Sequence, residues 1–285
     1  MGVKKCLFPV AGLGTRFLPV TKEIAKEMLP LVNRPIISYG VEEALASGCE
    51  EIVMITGRAK RSIENYFDRS FELEDLLLKR GKKALYDMII GISELADILY
   101  IRQREPLGLG HAVLCGEPVC SGEYFGVILP DDVFVHTEPV LSQLIGVHER
   151  LGGSVIALEQ VEPEDVSRYG IVSSEEVEPG IHRIIDMVEK PSLSDAPSNY
   201  AIMGRYVLSP SIFPILRSQG AGTGGEIQLT DGLRALVKSE AVYGVLYKGR
   251  RFDCGTQKGW LSANVKLALE DPELRSVVLE AVNGR

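Results

Sequence analysis

The stretch Phe8–Phe17, FPVAGLGTRF, is the part of the sequence that decides the fold. It overlaps an apolar run, Cys6–Val10, of the kind that forms a buried strand in a parallel sheet. Glycines directly after such a strand, here Gly12 and Gly14, let the backbone turn sharply and approach a ligand closely. Exposed backbone N–H groups in this loop, with Arg16 beside them, predict a site for a polyphosphate.

The charge of the chain is unevenly distributed, and its distribution supports an anion site near the N-terminus. The whole chain carries a formal net charge of −8, which is the wrong sign for a nucleic-acid-binding protein. Residues 1–34 contain six basic and two acidic side chains, a net charge of +4. A cationic segment in an acidic protein suits recognition of a small anion; a solvated turn with ordinary surface lysines is the alternative interpretation.

Length and composition indicate a globular α/β protein. With 285 residues, 45% of them hydrophobic and 25% charged, the chain is long enough for one large domain or two small ones. No repeat or Pro/Gly/Ser-rich linker separates the halves, so we expect one domain, residues 1–285, with two lobes. Five cysteines without a CxxC motif, and an N-terminal apolar stretch too short for a signal core or a membrane span, indicate a reduced, cytoplasmic protein. The four histidines are scattered, which argues against a zinc site.

Hydrophobic periodicity predicts alternating strands and helices in the first half of the chain. The strands are Cys6–Val10, Glu51–Thr56, Ile98–Arg102, Tyr124–Leu129 and Ser154–Gln160; the helices are Pro35–Ser47, Arg61–Phe67, a pair within Phe71–Asp97 broken near Gly91, one beginning in Gly110–Gly116, and Val140–Leu151. Repeated βα units predict parallel strands in this half with helices on both faces, and we expect a mixed, mainly parallel sheet for the whole chain. The second half has a more antiparallel pattern, with strands Ile171–Val172, Ile181–Glu189, Tyr200–Leu208 and Ala241–Tyr247 and helices Ile212–Arg217, Ile227–Ser239, Lys258–Glu270 and Glu273–Val282.

Two aspartates are candidate metal ligands. Asp131 follows a buried strand at the end where parallel sheets bind ligands, and Asp253 lies in RRFDCGT, where Gly255 permits a tight turn. Carboxylates suit Mg²⁺, which prefers a few protein oxygens together with substrate phosphates and water. A helix or turn cap is the alternative for Asp131, and Asp132 ranks below it as a second ligand.

Two further motifs offer groups for a sugar phosphate and a nucleobase. In MVEKP, Glu189 could accept hydrogen bonds from sugar hydroxyls and Lys190 could meet a phosphate, provided that the strand ends there; a surface ion pair is the alternative. In RQREPLGLGHAVL, Gln103 offers both a donor and an acceptor to a base edge, and glycines beginning with Gly108 let a flat base lie on bare backbone. An ordinary loop entering a helix would have the same composition. Glu226 is first expected to be a favourable group at a helix N-terminus.

With these residues assembled, the chain resembles the bacterial UTP–glucose-1-phosphate uridylyltransferases, also called UDP-glucose pyrophosphorylases. The resemblance runs through nearly the whole chain, in FPVAGLGTRFLPVTKEIAKEMLPLVNRP, EIVMITGRAKRSIENYFD, EPLGLGHAV, LPDD, RYGIV, VEKP, GGEIQLTD and RFDCGTQKGW. The order of LPDD, VEKP and EIQLTD makes it specific. The chain departs from the family in VTKEIAKEMLP, where the family commonly has ATKAIPKEMLP; the missing proline could loosen the loop, but Lys22 and Lys26 remain.

The resemblance implies a Rossmann-like fold of the nucleotide-diphospho-sugar transferase type. It also implies a site, because each functional residue of the family has a matching residue in this chain. The implied nucleotide-binding residues are Ala11, Gly12, Gly14 and Thr15 in the loop and Gln103 and Gly108 at the uracil. The implied catalytic residues are Arg16 and Lys26 on the nucleotide phosphates and Lys190 on the sugar phosphate. Gly170, Glu189 and Gly204 would contact the sugar, and Asp131 and Asp253 would hold Mg²⁺. The implied lobes are residues 1–135 for the nucleotide and 136–257 for the sugar phosphate, followed by C-terminal helices in 258–285.

The implied reaction joins UTP and glucose 1-phosphate into UDP-glucose and pyrophosphate, without nucleic acid or a membrane. A thymidylyltransferase or another sugar-1-phosphate nucleotidylyltransferase is the nearest alternative. A nucleotide-sugar binding protein without turnover is a second, although Lys26, Lys190 and Asp253 are all present. A dehydrogenase is disfavoured because GLGTR lacks the G-x-G-x-x-G spacing. An apolar stripe in Lys258–Val282 leads us to expect a homodimer or homotetramer.

Overall fold

A mixed sheet forms the centre of the protein in the computed structural model, which describes residues 2–220, 222 and 225–284. The strands in these residues are β1 Lys5–Pro9, β2 Pro30–Leu31, β3 Arg34–Pro35, β4 Glu51–Thr56, β5 Asp97–Arg102, β6 Phe125–Ile128, β7 Asp132–Val135, β8 Ser154–Gln160, β9 Gly170–Glu178, β10 Ile181–Glu189, β11 Tyr200–Leu208, β12 Val242–Leu246 and β13 Arg250–Asp253. The helices are α1 Ile36–Ala46, α2 Arg61–Phe67, α3 Phe71–Lys79, α4 Lys83–Ser93, α5 Leu109–Cys115, α6 Glu117–Cys120, α7 Val140–Leu151, α8 Ile212–Ser218, α9 Leu229–Leu236, α10 Gln257–Glu270 and α11 Pro272–Asn283. Of the predicted domain, Met1 and Arg285 lie outside the described residues, as does Gly224 of GGEIQLTD.

Nine strands form the main sheet in the order β5-β4-β1-β6-β11-β8-β12-β10-β9. The first four are parallel to one another, as the βα pattern predicts. The predicted mixed sheet is confirmed, and β12 is also parallel to β8. Antiparallel pairs are as frequent as parallel ones among neighbouring strands of the described residues, so the sheet is not mainly parallel: β11 runs antiparallel to β6, β8 and β9, and β10 runs antiparallel to β9 and β12. For β9 and β10 the physical reason is local: they are joined by a two-residue turn at Gly180, which has φ 75°, and such a hairpin can only be antiparallel.

Helices cover both faces of the sheet, since successive residues of each central strand point to opposite sides. In β1, Cys6 and Phe8 pack with residues of α1 and α7, whereas Leu7 packs with residues of α5, α8 and α9. Both clusters are almost fully buried, so the sheet is held rigidly between two apolar layers. None of the helices in the described residues is both long and apolar enough to cross a bilayer.

The helical region Phe71–Asp97 contains two helices, as predicted, but the break is misplaced. The chain turns at Gly81, whose φ of 65° is the left-handed conformation that ends a helix, and Gly91 lies inside α4.

A small ribbon that the sequence analysis missed carries part of the site. Strands β7 and β13 pair antiparallel, with Asp132 opposite Asp253. Val133 and Phe252 of this ribbon are buried with Ala263 of α10, so this helix packs against the ribbon. The ribbon therefore joins two segments more than a hundred residues apart in sequence.

Candidate active site

The loop after β1 lines a cavity of about 430 Å³ together with the loop after β5. The cavity brings together all six predicted nucleotide-binding residues: Ala11, Gly12, Gly14, Thr15, Gln103 and Gly108. Gly14 has φ 66°, and a Cβ on it would lie 3.2 Å from Thr21 Cγ2 and 3.3 Å from Lys26 Cβ. Only glycine fits there without strain, so the loop can fold closely over the segment that carries Lys26.

Gln103 is held in one orientation at the wall of this cavity. Its Nε2 donates to the carbonyl oxygen of Gly108 at 3.1 Å and lies 2.9 Å from His111 Nδ1. A carbonyl oxygen only accepts, so the amide nitrogen must face Gly108, and His111 Nδ1 must be the acceptor. The amide oxygen is thereby left for a ligand, and the side chain offers an acceptor rather than both groups.

Lys26 and Asp131 form an ion pair next to the glycine loop. Lys26 Nζ lies 2.6 Å from Asp131 Oδ2, and the two side chains are 22% and 27% exposed. Burial disfavours the ammonium, but the charges of Asp131 and Glu27 outweigh it, so the pKa of Lys26 is raised. Burial also disfavours the carboxylate, but the Lys26 charge and hydrogen bond lower the pKa of Asp131. Both groups are therefore charged at neutral pH.

Asp253 lies beside Asp131 because of the β7–β13 ribbon and the turn that follows it. Asp253 Oδ1 accepts a hydrogen bond from the Gly255 N–H at 3.0 Å, and Cys254 N donates to the Asp131 carbonyl at 2.8 Å. A Cβ on Gly255 would lie 2.9 Å from Asp131 Oδ2 and 3.2 Å from Asp253 Oδ1. The two carboxylates thus face one small space, which the absence of a side chain at Gly255 keeps open.

Glu189 and Lys190 lie at the end of β10, where the strand stops as the sequence analysis requires. Lys190 has φ 46°, which breaks the alternation of the strand. Its Nζ consequently lies 3.0 Å from Glu189 Oε1, and the second oxygen of Glu189 accepts from Thr230 Oγ1 at 2.7 Å. The carboxylate is oriented by this hydroxyl, and the half-exposed ammonium remains available to an anion.

A second cavity, of about 470 Å³, contains the predicted metal ligands and two of the predicted catalytic cations. Its lining includes Arg16, Asp131, Lys190 and Asp253. The loop after β1 contributes to both cavities, because Thr15 lines the first and its neighbour Arg16 lines the second. Glu189 is not part of either lining, but its contact with Lys190 places it at the edge of the second.

The comparisons with known proteins agree over nearly the full chain. A family model described as Nucleotidyl transferase matches residues 9–270. UTP–glucose-1-phosphate uridylyltransferase YngB of Bacillus subtilis is 50% identical over 277 residues, covering 97% of this chain and 93% of that protein. The UTP–glucose-1-phosphate uridylyltransferase of Pseudomonas aeruginosa is 46% identical and covers 92% and 94%. A solved structure, UTP-bound UGPase from Acinetobacter baumannii, has a TM-score of 0.89 at 40% identity, covering 98% of this chain and 99% of that chain.

The chain belongs to the nucleotidyl transferase family. Its relatives are named as uridylyltransferases, so the resemblance stated from the sequence is confirmed. In this nucleotidyl transferase, two of the residues implied for the sugar are closely packed against neighbouring side chains. A Cβ on Gly170 would lie 2.9 Å from Thr230 Oγ1, and one on Gly204 would lie 2.7 Å from Asp132 Oδ2. Both glycines let neighbouring groups approach, and their contact with a sugar stays a prediction.

Asp132 links other segments of the nucleotidyl transferase site through hydrogen bonds. Its Oδ2 accepts from the Gly204 N–H at 3.2 Å, and its Oδ1 accepts from Arg251 Nε at 2.8 Å. Burial raises the pKa of this carboxyl, against the lowering effect of the Arg251 charge. Asp132 also lines the second cavity with Asp131 and Asp253, and its lower rank as a ligand stays a prediction.

Sequence reasoning missed the buried pair that fixes the Asp131 loop. Arg205 is fully buried and donates from Nε and Nη2 to both oxygens of Glu43, at 2.9 and 2.7 Å. Its remaining donors reach the carbonyl oxygens of Leu129, Asp132 and Gly204. The signal that could have revealed it is an arginine inside the apolar strand YAIMGRYVL, since a charge at such a position requires a partner.

Proposed function

We infer that the chain transfers a uridylyl group from UTP to glucose 1-phosphate, giving UDP-glucose and pyrophosphate. The observation that carries this inference is a pair of cavities to which the loop after β1 contributes in common. One is walled by glycines and a fixed amide, and the other by two carboxylates with Arg16 and Lys190. A nucleotide in the first and a sugar phosphate in the second would meet where Arg16, Asp131 and its partner Lys26 lie.

The first cavity suits a base that donates a hydrogen bond. We place uracil there because its N3–H can donate to the Gln103 oxygen, whereas cytosine presents only a lone pair at that position. The backbone of the loop from Ala11 to Thr15 would then surround the ribose and phosphates. Arg16 and Lys26 follow this loop, and we assign them to the charge of the nucleotide phosphates.

The paired aspartates fit Mg²⁺. Two carboxylates facing one space supply hard oxygen ligands, and Mg²⁺ completes its shell with substrate phosphate and water rather than with a full set of protein groups. No cluster of three or more acidic, histidine or cysteine side chains able to hold a metal occurs in the described residues, which suits such a shared site. We assign Asp131 and Asp253 as the ligands. A bound cation would neutralise phosphate charge near the α-phosphorus.

The second cavity suits glucose 1-phosphate. Lys190 lines it and would bind the phosphate, while Glu189, held by the Thr230 hydroxyl, would accept hydrogen bonds from sugar hydroxyls. We retain Gly170 and Gly204 as residues that bring the backbone close to the sugar. Their tight packing makes a side chain at either position incompatible with this arrangement.

The reaction needs positioning and charge neutralisation more than acid–base chemistry. A phosphate monoester has a second pKa of about 6 and is therefore mostly dianionic at neutral pH, so its oxygen can attack without a general base. The oxygen of glucose 1-phosphate forms a bond to the α-phosphorus as the bond from that phosphorus to the bridging oxygen breaks, and pyrophosphate leaves with the electron pair. Arg16, Lys26 and Lys190 offset the repulsion between the two anions.

The test is pyrophosphate release from UTP, dTTP, CTP and ATP with glucose 1-phosphate, with and without EDTA. We expect UTP to exceed CTP at least about a hundredfold in kcat/KM, because the Gln103 oxygen would face an unpaired acceptor on cytosine. Gln103→Leu should lose this preference but keep its dependence on the metal. A preference for dTTP would establish a thymidylyltransferase, and binding of UTP without pyrophosphate release would establish a binding protein.

We also propose the lobes 1–135 and 136–257 with C-terminal helices in 258–285, a homodimer or homotetramer joined through those helices, and a cytoplasmic location. Exposed Leu261, Val277 and Val282 on α10 and α11 support the interface. The cysteines support the location, since all five are free.

A further inference from the structure

Both oxygens of the proposed metal ligand Asp253 are engaged by protein donors. Oδ1 accepts from the Gly255 N–H at 3.0 Å, and Oδ2 accepts from Arg168 Nη2 at 3.0 Å. Arg168 belongs to the short 3-10 helix Pro163–Arg168, and nothing in the sequence analysis assigned it. A cation that binds Asp253 must therefore share or replace one of these two partners.

The two partners differ in how easily they can leave. The Gly255 N–H lies two residues along the same turn, in a buried stretch of backbone, so it moves only with the turn. The Arg168 side chain is 48% exposed and crosses to Asp253 from another segment of the chain. Its Nη1 donates separately to Asp165 Oδ1 at 3.0 Å, so the guanidinium keeps a partner if it releases Asp253.

We propose that Arg168 and the divalent cation compete for Asp253, so that binding of the cation displaces the guanidinium from the carboxylate. This rests on the proposed function, which makes Asp253 a metal ligand. The displaced guanidinium stays in the cavity that Arg16 and Lys190 also line. The positive charge moves from a protein carboxylate to the place where a substrate phosphate would lie, so the exchange couples metal binding to anion binding.

The competition predicts an unusual gain on mutation. Arg168→Gln removes the competitor, so the protein should bind the cation more tightly, by about two- to fivefold, equivalent to about 0.4–1 kcal/mol at 1.4 kcal/mol per tenfold. This is the upper part of the range for an exposed ion pair. Structural damage would act in the opposite direction, because a displaced ribbon or turn would separate the two aspartates.

Lys258→Gln provides the matched control. Lys258 lines the cavity of about 890 Å³ that Arg168 and Asp253 share, but it forms no ion pair with the carboxylate in the part of the chain that the structure describes. The Lys258→Gln variant removes the same charge as Arg168→Gln but does not free a carboxylate oxygen of Asp253. A long-range effect of charge alone, screened over about 8–10 Å in salt, would appear in both variants.

The experiment is titration of the full-length protein with Mn²⁺ alone, followed by the loss of the free-ion signal in electron paramagnetic resonance. Wild type, Arg168→Gln, Lys258→Gln and Asp253→Asn are compared, with thermal melting to establish that each is folded. We expect a lower Kd for Arg168→Gln, a change below about 1.5-fold for Lys258→Gln, and weaker binding by at least about tenfold for Asp253→Asn.

The outcomes separate this inference from the proposed function. Weaker binding in Asp253→Asn with an unchanged or raised Kd in Arg168→Gln would overturn the competition and leave the metal site in place. An equal gain in both arginine and lysine variants would also overturn it. Binding that Asp253→Asn does not alter would refute the metal assignment and this inference with it. No binding by any variant in the millimolar range would overturn this inference, which requires the cation to reach Asp253 without the substrate phosphates, and would leave a metal site shared with the nucleotide in place.

Discussion

Replacement of Lys26 by alanine tests the electrostatic core of the site. Lys26 Nζ is 2.6 Å from Asp131 Oδ2, and its side chain is only 22% exposed, so the charge is fixed in a largely dry position. Loss of one preorganised donor of this kind costs about 10²–10³ in kcat, or about 2.7–4 kcal/mol of transition-state stabilisation. We expect Lys26→Ala to lose activity within this range, and Lys26→Arg to retain more, since it keeps the charge with a different shape.

The assay for Lys26→Ala is steady-state release of pyrophosphate at saturating UTP and glucose 1-phosphate. Thermal melting of the same preparations separates a catalytic loss from unfolding, because the variant leaves Asp131 without its partner. Turnover within about tenfold of the wild-type value, which is less than 1.4 kcal/mol, would refute the assignment of Lys26 to the transition state.

Three further predictions concern the groups around this pair. Glu43→Gln should lower the free energy of unfolding by about 3–5 kcal/mol in urea denaturation, because it leaves the fully buried Arg205 without its carboxylate; a loss below about 1 kcal/mol would contradict this. Gly255→Ala should raise the Mg²⁺ concentration for half-maximal activity at least about tenfold, since its methyl group would enter the space between the two aspartates, whereas Gly122→Ala, which has no neighbour within 4 Å, should change nothing. The lowered pKa of Asp131 and the raised pKa of Lys26 keep the pair charged from about pH 4 to about pH 10, so its stabilisation is lost only as pH falls through the Asp131 pKa or rises through the Lys26 pKa. We therefore expect that neither group titrates in a profile of kcat between about pH 6 and 9. A limb of that profile that shifts in Lys26→Arg would contradict this expectation.

The parts of the fold that repeat a simple pattern were predictable from the sequence. Glu51–Thr56, Val140–Leu151 and Tyr200–Leu208 have the predicted bounds, because each is a single apolar pattern that ends at polar or turn residues. The glycine loop was predictable from residue type, because Gly14 has a backbone conformation that other residues adopt only with strain.

The rest depends on contacts between distant segments. The ribbon of Asp132–Val135 and Arg250–Asp253 was missed because two four-residue strands have no clear period, and only their pairing makes them a structure. That ribbon is nevertheless what places Asp253 beside Asp131. Sequence reasoning could name both aspartates by their residue type, but it could not show that they meet or that Arg168 binds one of them.

The most direct test of the account is the Mg²⁺ dependence of pyrophosphate release in Asp253→Asn, measured beside its thermal melting. We predict a folded protein with a melting temperature within a few degrees of the wild type, in which half-maximal activity requires at least about tenfold more Mg²⁺. A Mg²⁺ curve that coincides with that of the wild type, in protein that is equally well folded, would contradict the claim that the two aspartates hold the cation between the reacting phosphates.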